Sequence, residues 1–315
     1  MTGAPLSMME LATELLSCGA TVSAVVLSKK GGLMSELSRR RIKVLEDKAD
    51  FSFKTSMKAD LVIAGSAVCA SWIDQYMERF PAGGSQVVWW IMENRKEYFD
   101  RAKPVLNRVK KLLFLSEAQS SQWLTWCKEE SIKLRYAPTV IPLSVNDELA
   151  FVAGIPCSLN TPTFTSERML EKRKLLRDSV RKEMGLTDND ILLISLSTTT
   201  RVASLYSAAD VYVINAQGMG ETFGRVTIEA MAFGLPVLGT DAGGTKEIVG
   251  HNETGLLHPP GHPGVKLLAQ NIQYMLENPS EREIMGMKGR KKVEKMYLKR
   301  HMYRKFALVL SSCMR

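Results

Sequence analysis

Residues 210–239 read DVYVINAQGMGETFGRVTIEAMAFGLPVLG. The apolar run at 210–215 has the composition of a buried strand. Gly218, Gly220 and Gly224 then break the chain, and from Arg225 to Phe233 the apolar residues take on helical spacing. Pro236 opens a second apolar run at 236–239. Strand, glycine loop, helix and strand in succession make a crossover unit, which belongs to a parallel sheet buried on both faces.

The same alternation continues in both directions. Toward the C-terminus come a Gly243-Gly244 turn, a short helix at 245–249, a strand at 255–257 and a mostly helical tail. Toward the N-terminus lie a helix at 201–209 and a strand at 191–197. Further upstream, strands are expected at 21–27, 42–45, 60–65, 86–92 and 111–116, separated by helices at 6–16, 32–41, 68–80 and 117–127. The fold class is therefore α/β, with two Rossmann-like halves and a cleft between them as the expected ligand site. The first half covers residues 1–145. Residues 146–190, polar and ending in a charged helix from Ser166 to Gly185, read as a linker. Residues 191–315 form the second half and its helical tail.

Composition sets the limits. The chain has 315 residues, 45% apolar and 24% charged, enough for a packed core of about two domains. No apolar run approaches the roughly 20 residues of a membrane helix, and the first residues lack the pattern of a secretory signal. Five widely spaced cysteines, none in a Cys-x-x-Cys pair, point to reduced thiols and a cytoplasmic chain. His258 and His262 are separated by Pro259-Pro260-Gly261, which prevents a helix from aligning them, so no metal site is expected. The net charge is +9, and residues 287–305 carry nine of the cations against Glu294 alone. Such a stretch is either a solvated helical face or a surface for phosphate, nucleic acid or acidic membrane; nucleic acid is not expected.

Chemistry concentrates at the strand ends. A glycine loop leading into a helix brings backbone N–H groups close to a phosphate. Glu221 lies in that loop and Glu229 about a turn inside the helix, and carboxylates accept hydrogen bonds from paired hydroxyls. Residues 240–247 form a second such loop, and Thr2-Gly3-Ala4-Pro5 a third in the first half. The alternatives are a helix-start acid, a surface glutamate and ordinary glycine turns.

In combination these motifs resemble glycosyltransferase family 4, the retaining nucleotide-sugar transferases of GT-B fold. Glu221 and Glu229 have that family's Glu, seven residues, Glu spacing. Glu-x-Phe-Gly at 221–224, Glu-Ala-Met-Ala-x-Gly-x-Pro-Val at 229–237, Gly-Gly-x-x-Glu at 243–247 and Gly-x-Leu at 255–257 match as well. The likeness is strong from Arg201 to about Leu276 and weak in the first half. It implies that Glu221 is catalytic and contacts the donor sugar, and that Glu229 binds the ribose. It implies that Gly220, Gly243, Gly244 and the backbone of Phe223 and Gly224 line the donor site, with Gly3 approaching the diphosphate from the other half. The acceptor would lie against the first half, where Glu93 and Arg95 are the candidates. No metal or other cofactor is implied. The common donor in the family is a UDP-hexose, though ADP- and GDP-sugars occur, and the acceptor is undetermined.

Two departures from the family stand out. Its members carry a Gly-Arg/Lys loop after the first strand of the second domain and a lysine soon after, which grip the donor diphosphate. Here the strand at 191–197 runs through Thr198-Thr199-Thr200 into Arg201 and a helix that comes late in the family. The glycine loop at Gly3 also lacks a preceding strand. The expectation is a truncated form of a longer protein, one that could be membrane-anchored, for example in the Golgi, with the second half incomplete. Each charge-assisted phosphate contact contributes about 2–4 kcal/mol to transition-state stabilisation, so activity is expected to be impaired. The alternative is a non-catalytic interaction protein, or a peripheral binder of acidic surfaces through the basic tail.

Overall fold

A computed structural model describes residues 3–28, 32–47, 49–196 and 199–314. Thr2, Ser197 and Thr198, which belong to two of the expected loops, lie outside the described residues. The chain forms two compact units. One comprises Met1–Ile141 with Lys305–Arg315, the other Pro142–Arg304.

In the first unit, β1 (Ser23–Val26) pairs in parallel with β2 (Lys43–Glu46). A second parallel sheet has the order β3 (Val62–Gly65), β4 (Val87–Trp90), β5 (Lys111–Phe114), β6 (Thr139–Val140). All four residues of β4 are fully buried, as the Val-Val-Trp-Trp run demands of a central parallel strand. Its side chains alternate between faces. Val87, Trp89 and Ile91 join the main core with Trp72, Tyr76 and Trp123. Trp90 instead meets the edge of the Phe306 ring, centroids 4.8 Å apart. This contact explains why residues from Lys305 onward belong with the first unit, where the sequence placed the whole tail in the second half. A helical stripe in sequence does not reveal which core receives it.

In the second unit, β7 (Leu193–Ile194), β8 (Val211–Ile214), β9 (Val237–Thr240) and β10 (Gly255–His258) form one parallel sheet in the order β10-β9-β8-β7. The strand expected over 191–197 is regular for two residues only. The helix Ser166–Glu183 is an integral part of this unit, which corrects its reading as a linker. Arg177 donates to the carbonyls of Ala208 (2.9 Å) and Ala209 (3.0 Å) and pairs with Asp210 Oδ1 at 2.6 Å. Arg181, only 5% exposed, donates to Ala208 O (3.1 Å) and to Asp210 Oδ2 (3.0 Å). Asp210 Oδ2 also accepts from Leu192 N at 2.8 Å, tying the start of β8 to β7. The charge of this helix is thus spent on the open carbonyls ending the helix Val202–Ala208 and on one carboxylate.

Much of the basic tail is engaged likewise. Arg290 donates to Gly154 O (2.8 Å) and Ala232 O (3.1 Å), Lys292 to Ile248 O (2.7 Å), and Lys299 pairs with Asp147 at 3.3 Å. Val293 and Tyr297 are buried, whereas Met296 is exposed.

Candidate functional site

The loop after β8 and the loop after β9 are fastened to each other. Gly244 N donates to Glu221 O at 2.7 Å, and Glu221 forms a parallel bridge with Gly243. Glycine is required here by backbone proximity. A Cβ on Gly220 would stand 2.7 Å from Ala242 O, one on Gly243 would collide with Glu221 O, and one on Gly244 with Phe223 O. Gly224 has φ +99° and caps the helix Arg225–Ala232, a conformation that L side chains avoid. Phe223 is buried, its ring 6.0 Å from that of Tyr297. Gly220, Phe223, Gly224, Gly243 and Gly244 therefore come together around Glu221, as one rigid rim at the carboxyl ends of the strands.

Beside this rim, within the second unit, opens a cavity of about 350 Å³. Ser195, Tyr212, Asn215, Glu221, Arg225 and Val226 are among its lining residues. Glu221 is exposed. Glu229, 8% exposed, lies deeper and is not part of the lining. The Tyr206 hydroxyl donates to Val226 O at 3.3 Å. Burial, then the Glu229 charge, pushes the Tyr206 hydroxyl far above the ordinary tyrosine range. Tyr212 is pushed up to about 12, chiefly by burial, with the charges of Glu229 and Glu221 adding to it. Tyr212 shares the cavity lining with Glu221, whereas Glu229 does not take part in it.

The first-unit candidates are placed differently. Gly3 caps the helix Ala4–Ser17 with φ +62°. The Glu93 carboxylate accepts from Ala67 N (2.7 Å), Met92 N (3.2 Å) and the Ser66 hydroxyl. Its carbonyl accepts from Gln119 Nε2 (3.0 Å) and Trp123 Nε1 (3.1 Å). Those bonds give Glu93 the role of a clamp on the turn after β3, where Ser66 has φ +80°. Arg95 is exposed ahead of the helix Lys96–Ala102.

Sequence reasoning overlooked Arg225, Tyr212 and Asn215. One signal was available for Arg225: a cation in the first turn of a helix opposes the helix dipole, so its placement there asks for a reason. Arg201 is held by a two-pronged contact with Glu183 at 2.8 and 2.6 Å.

The sequence pattern of glycosyl-transferase family 4 matches residues 1–158, and that of glycosyl transferases group 1 matches residues 171–292. Capsular polysaccharide biosynthesis glycosyltransferase CapM of Staphylococcus aureus is 29% identical over 130 residues, 39% of this chain and 33% of that protein. D-inositol 3-phosphate glycosyltransferase of Pseudarthrobacter chlorophenolicus is 34% identical over 114 residues, 36% of this chain and 25% of that protein. The chain thus spans a third or less of the length of these curated relatives. Among solved structures, Anabaena HepE in complex with UDP superposes with a TM-score of 0.77 at 15% identity, covering 99% of this chain and 96% of that one. A glycosyltransferase from Rickettsia africae ESF-5 gives 0.67 at 16%, covering 99% and 95%. At such identities the likeness is one of fold: two Rossmann-like halves, as in GT-B glycosyltransferases.

Proposed function

Because the chain belongs to glycosyl-transferase family 4, we propose that it transfers a hexose with retention from a nucleotide sugar, a UDP-hexose, to the hydroxyl of an acceptor. The observation that carries this reading is the cavity at the ends of β7 and β8, where an exposed carboxylate, Glu221, and a guanidinium, Arg225, share one lining. HepE, the structural neighbour, is described with UDP, with UDP and glucose, and with UDP-glucose, which favours the same donor here.

In this reading the Glu221 carboxylate accepts hydrogen bonds from hydroxyls of the donor sugar and fixes its orientation. The bond from the anomeric carbon to the diphosphate breaks and one to the acceptor oxygen forms. The acceptor proton passes to the departing phosphate oxygen. Arg225 and the N–H groups at the start of its helix offset the charge that develops on the diphosphate. Glu229 serves the ribose, since one carboxylate accepts several hydrogen bonds. A single guanidinium does the work of the family's cationic loop, so turnover is slow, by about 10²–10³-fold for a missing contact of this kind. The reading gives no role to a metal.

The test is direct. The protein is incubated with UDP-glucose and UDP release is followed, then the measurement is repeated with Glu221→Ala and Arg225→Met. Release should fall at least about 100-fold in either variant. Equal release by the wild type and both variants would remove this cavity from the reaction.

A further inference from the structure

Next to Asn215 in the cavity lining, one backbone N–H dictates the direction of a chain of side-chain hydrogen bonds. Gly261 N donates to Gln217 Oε1 at 2.9 Å. A backbone N–H can only donate, so the oxygen of the Gln217 amide faces Gly261 and its Nε2 faces the other way. That Nε2 donates to Asn215 Oδ1 at 2.8 Å. His258 Nε2 lies 3.2 Å from the same oxygen. Because Asn215 Oδ1 can only accept, His258 must carry its proton on Nε2. Its Nδ1 is then bare, which agrees with that atom being buried without a hydrogen-bond partner. His258 is 1% exposed, which shelters the histidine end of the chain, whereas Asn215 and Gln217 are exposed.

Asn215 lines the cavity with Glu221, and its oxygen is committed to Gln217 and His258. We infer that Asn215 is a specificity residue of this cavity, presenting its side-chain NH2 to an oxygen of the bound sugar, with Gln217 and His258 as the positioning residues that keep the amide from turning over. The inference rests on the donor-site reading above and deepens it. Glu221 can only accept and Asn215 Nδ2 can only donate, so the pair is complementary to sugar hydroxyls, each of which both gives and takes a hydrogen bond. A nucleoside diphosphate keeps its ribose hydroxyls, so a loss confined to the nucleotide sugar is what assigns the pair to the hexose.

Two measurements on the full chain test this. Calorimetric titration with UDP-glucose and with UDP is carried out on the wild type, Asn215→Asp and Gln217→Glu. The carboxylate of Asn215→Asp still accepts from Gln217 but offers no donor to the cavity. The carboxylate of Gln217→Glu still accepts from Gly261 but turns an oxygen toward Asn215, forcing its amide over. In both variants UDP-glucose affinity should fall about 10-fold or more while UDP affinity changes less than about 3-fold. Parallel losses for both ligands, or no loss for either, would overturn the assignment of Asn215 to the sugar. The second measurement needs no ligand: ¹⁵N-detected NMR of the imidazole should find His258 as the Nε2–H tautomer in the wild type and as the Nδ1–H tautomer in Gln217→Glu. An Nδ1–H wild type, or no change in the variant, overturns the proposed polarity. A wild type that binds neither ligand while showing the expected tautomers instead overturns the donor-site reading.

Discussion

Gly244 has a neighbour that cannot yield. Its missing Cβ faces the backbone of Phe223 rather than the end of a flexible side chain. Gly244→Ala should therefore cost about 1–3 kcal/mol, measured by chemical unfolding, and should weaken UDP-glucose binding because the two loops must separate. His258 supplies a pH-dependent counterpart. Burial lowers its pKa below 6.5, so the unfolded chain takes up this proton more readily than the folded one. Its contribution to stability is complete above pH 6.5 and declines as pH falls through the range below that value, at up to about 1.4 kcal/mol per pH unit. His301 acts in the same sense, through burial and then the Arg300 and Arg304 charges. The His258 share is isolated by comparison with His258→Gln, whose stability should decline less steeply in acid. The glycines that fasten the two loops around Glu221 were legible from their spacing, but that Glu229 is buried outside the cavity lining was not. The hydrogen bonds of Asn215 to His258 and of Gln217 to Gly261 were not legible either, because these partners are 43 and 44 residues away and meet them only when β8 and β10 end on the same side of the sheet.

The helix Ser166–Glu183 illustrates how an element can be located correctly and its place still missed. Thr165 caps it, accepting from Arg168 N, and its overwhelmingly charged sequence suggests solvent on all sides. Arg177 and Arg181, one turn apart, instead close the end of the helix Val202–Ala208 and grip Asp210. Arg181→Met should destabilise the protein by about 3 kcal/mol, since it leaves a mostly buried Asp210 with one partner fewer and takes a donor from the carbonyls of Ala208, Thr187 and Asp190, of which the first keeps Arg177 and the second Asp190 N. Thermal unfolding with and without this change is the check. Arg177→Met, which removes the half-exposed member, should cost less. Strand positions were legible wherever both faces are buried, as in β4 and β9. The helices Asp50–Met57, Lys96–Ala102 and Asp147–Val152 were not anticipated, being short and weakly patterned, and tertiary contacts hold them in place.

For the chain as a whole, the net charge of +9 says less about partners than its distribution suggests. Arg290, Lys292 and Lys299 satisfy carbonyls or a carboxylate of their own unit, while Lys288, Lys291 and Lys295 remain exposed. Arg290→Gln should lower the melting temperature by several degrees, corresponding to about 1–3 kcal/mol, with little effect on heparin retention. Lys288→Glu with Lys291→Glu should do the reverse, lowering the salt needed for elution and leaving the melting temperature nearly unchanged. What the amino-acid order determined was local: alternating strands and helices, glycine loops at strand ends, and Glu221 and Glu229 at a fixed separation. Those features depend on neighbours a few residues apart. Which carboxylate faces the cavity, which arginine stands beside it and which core the last helix fills were decided by tertiary packing. They depend on burial and hydrogen bonding between segments tens of residues apart, whose energies no local pattern contains.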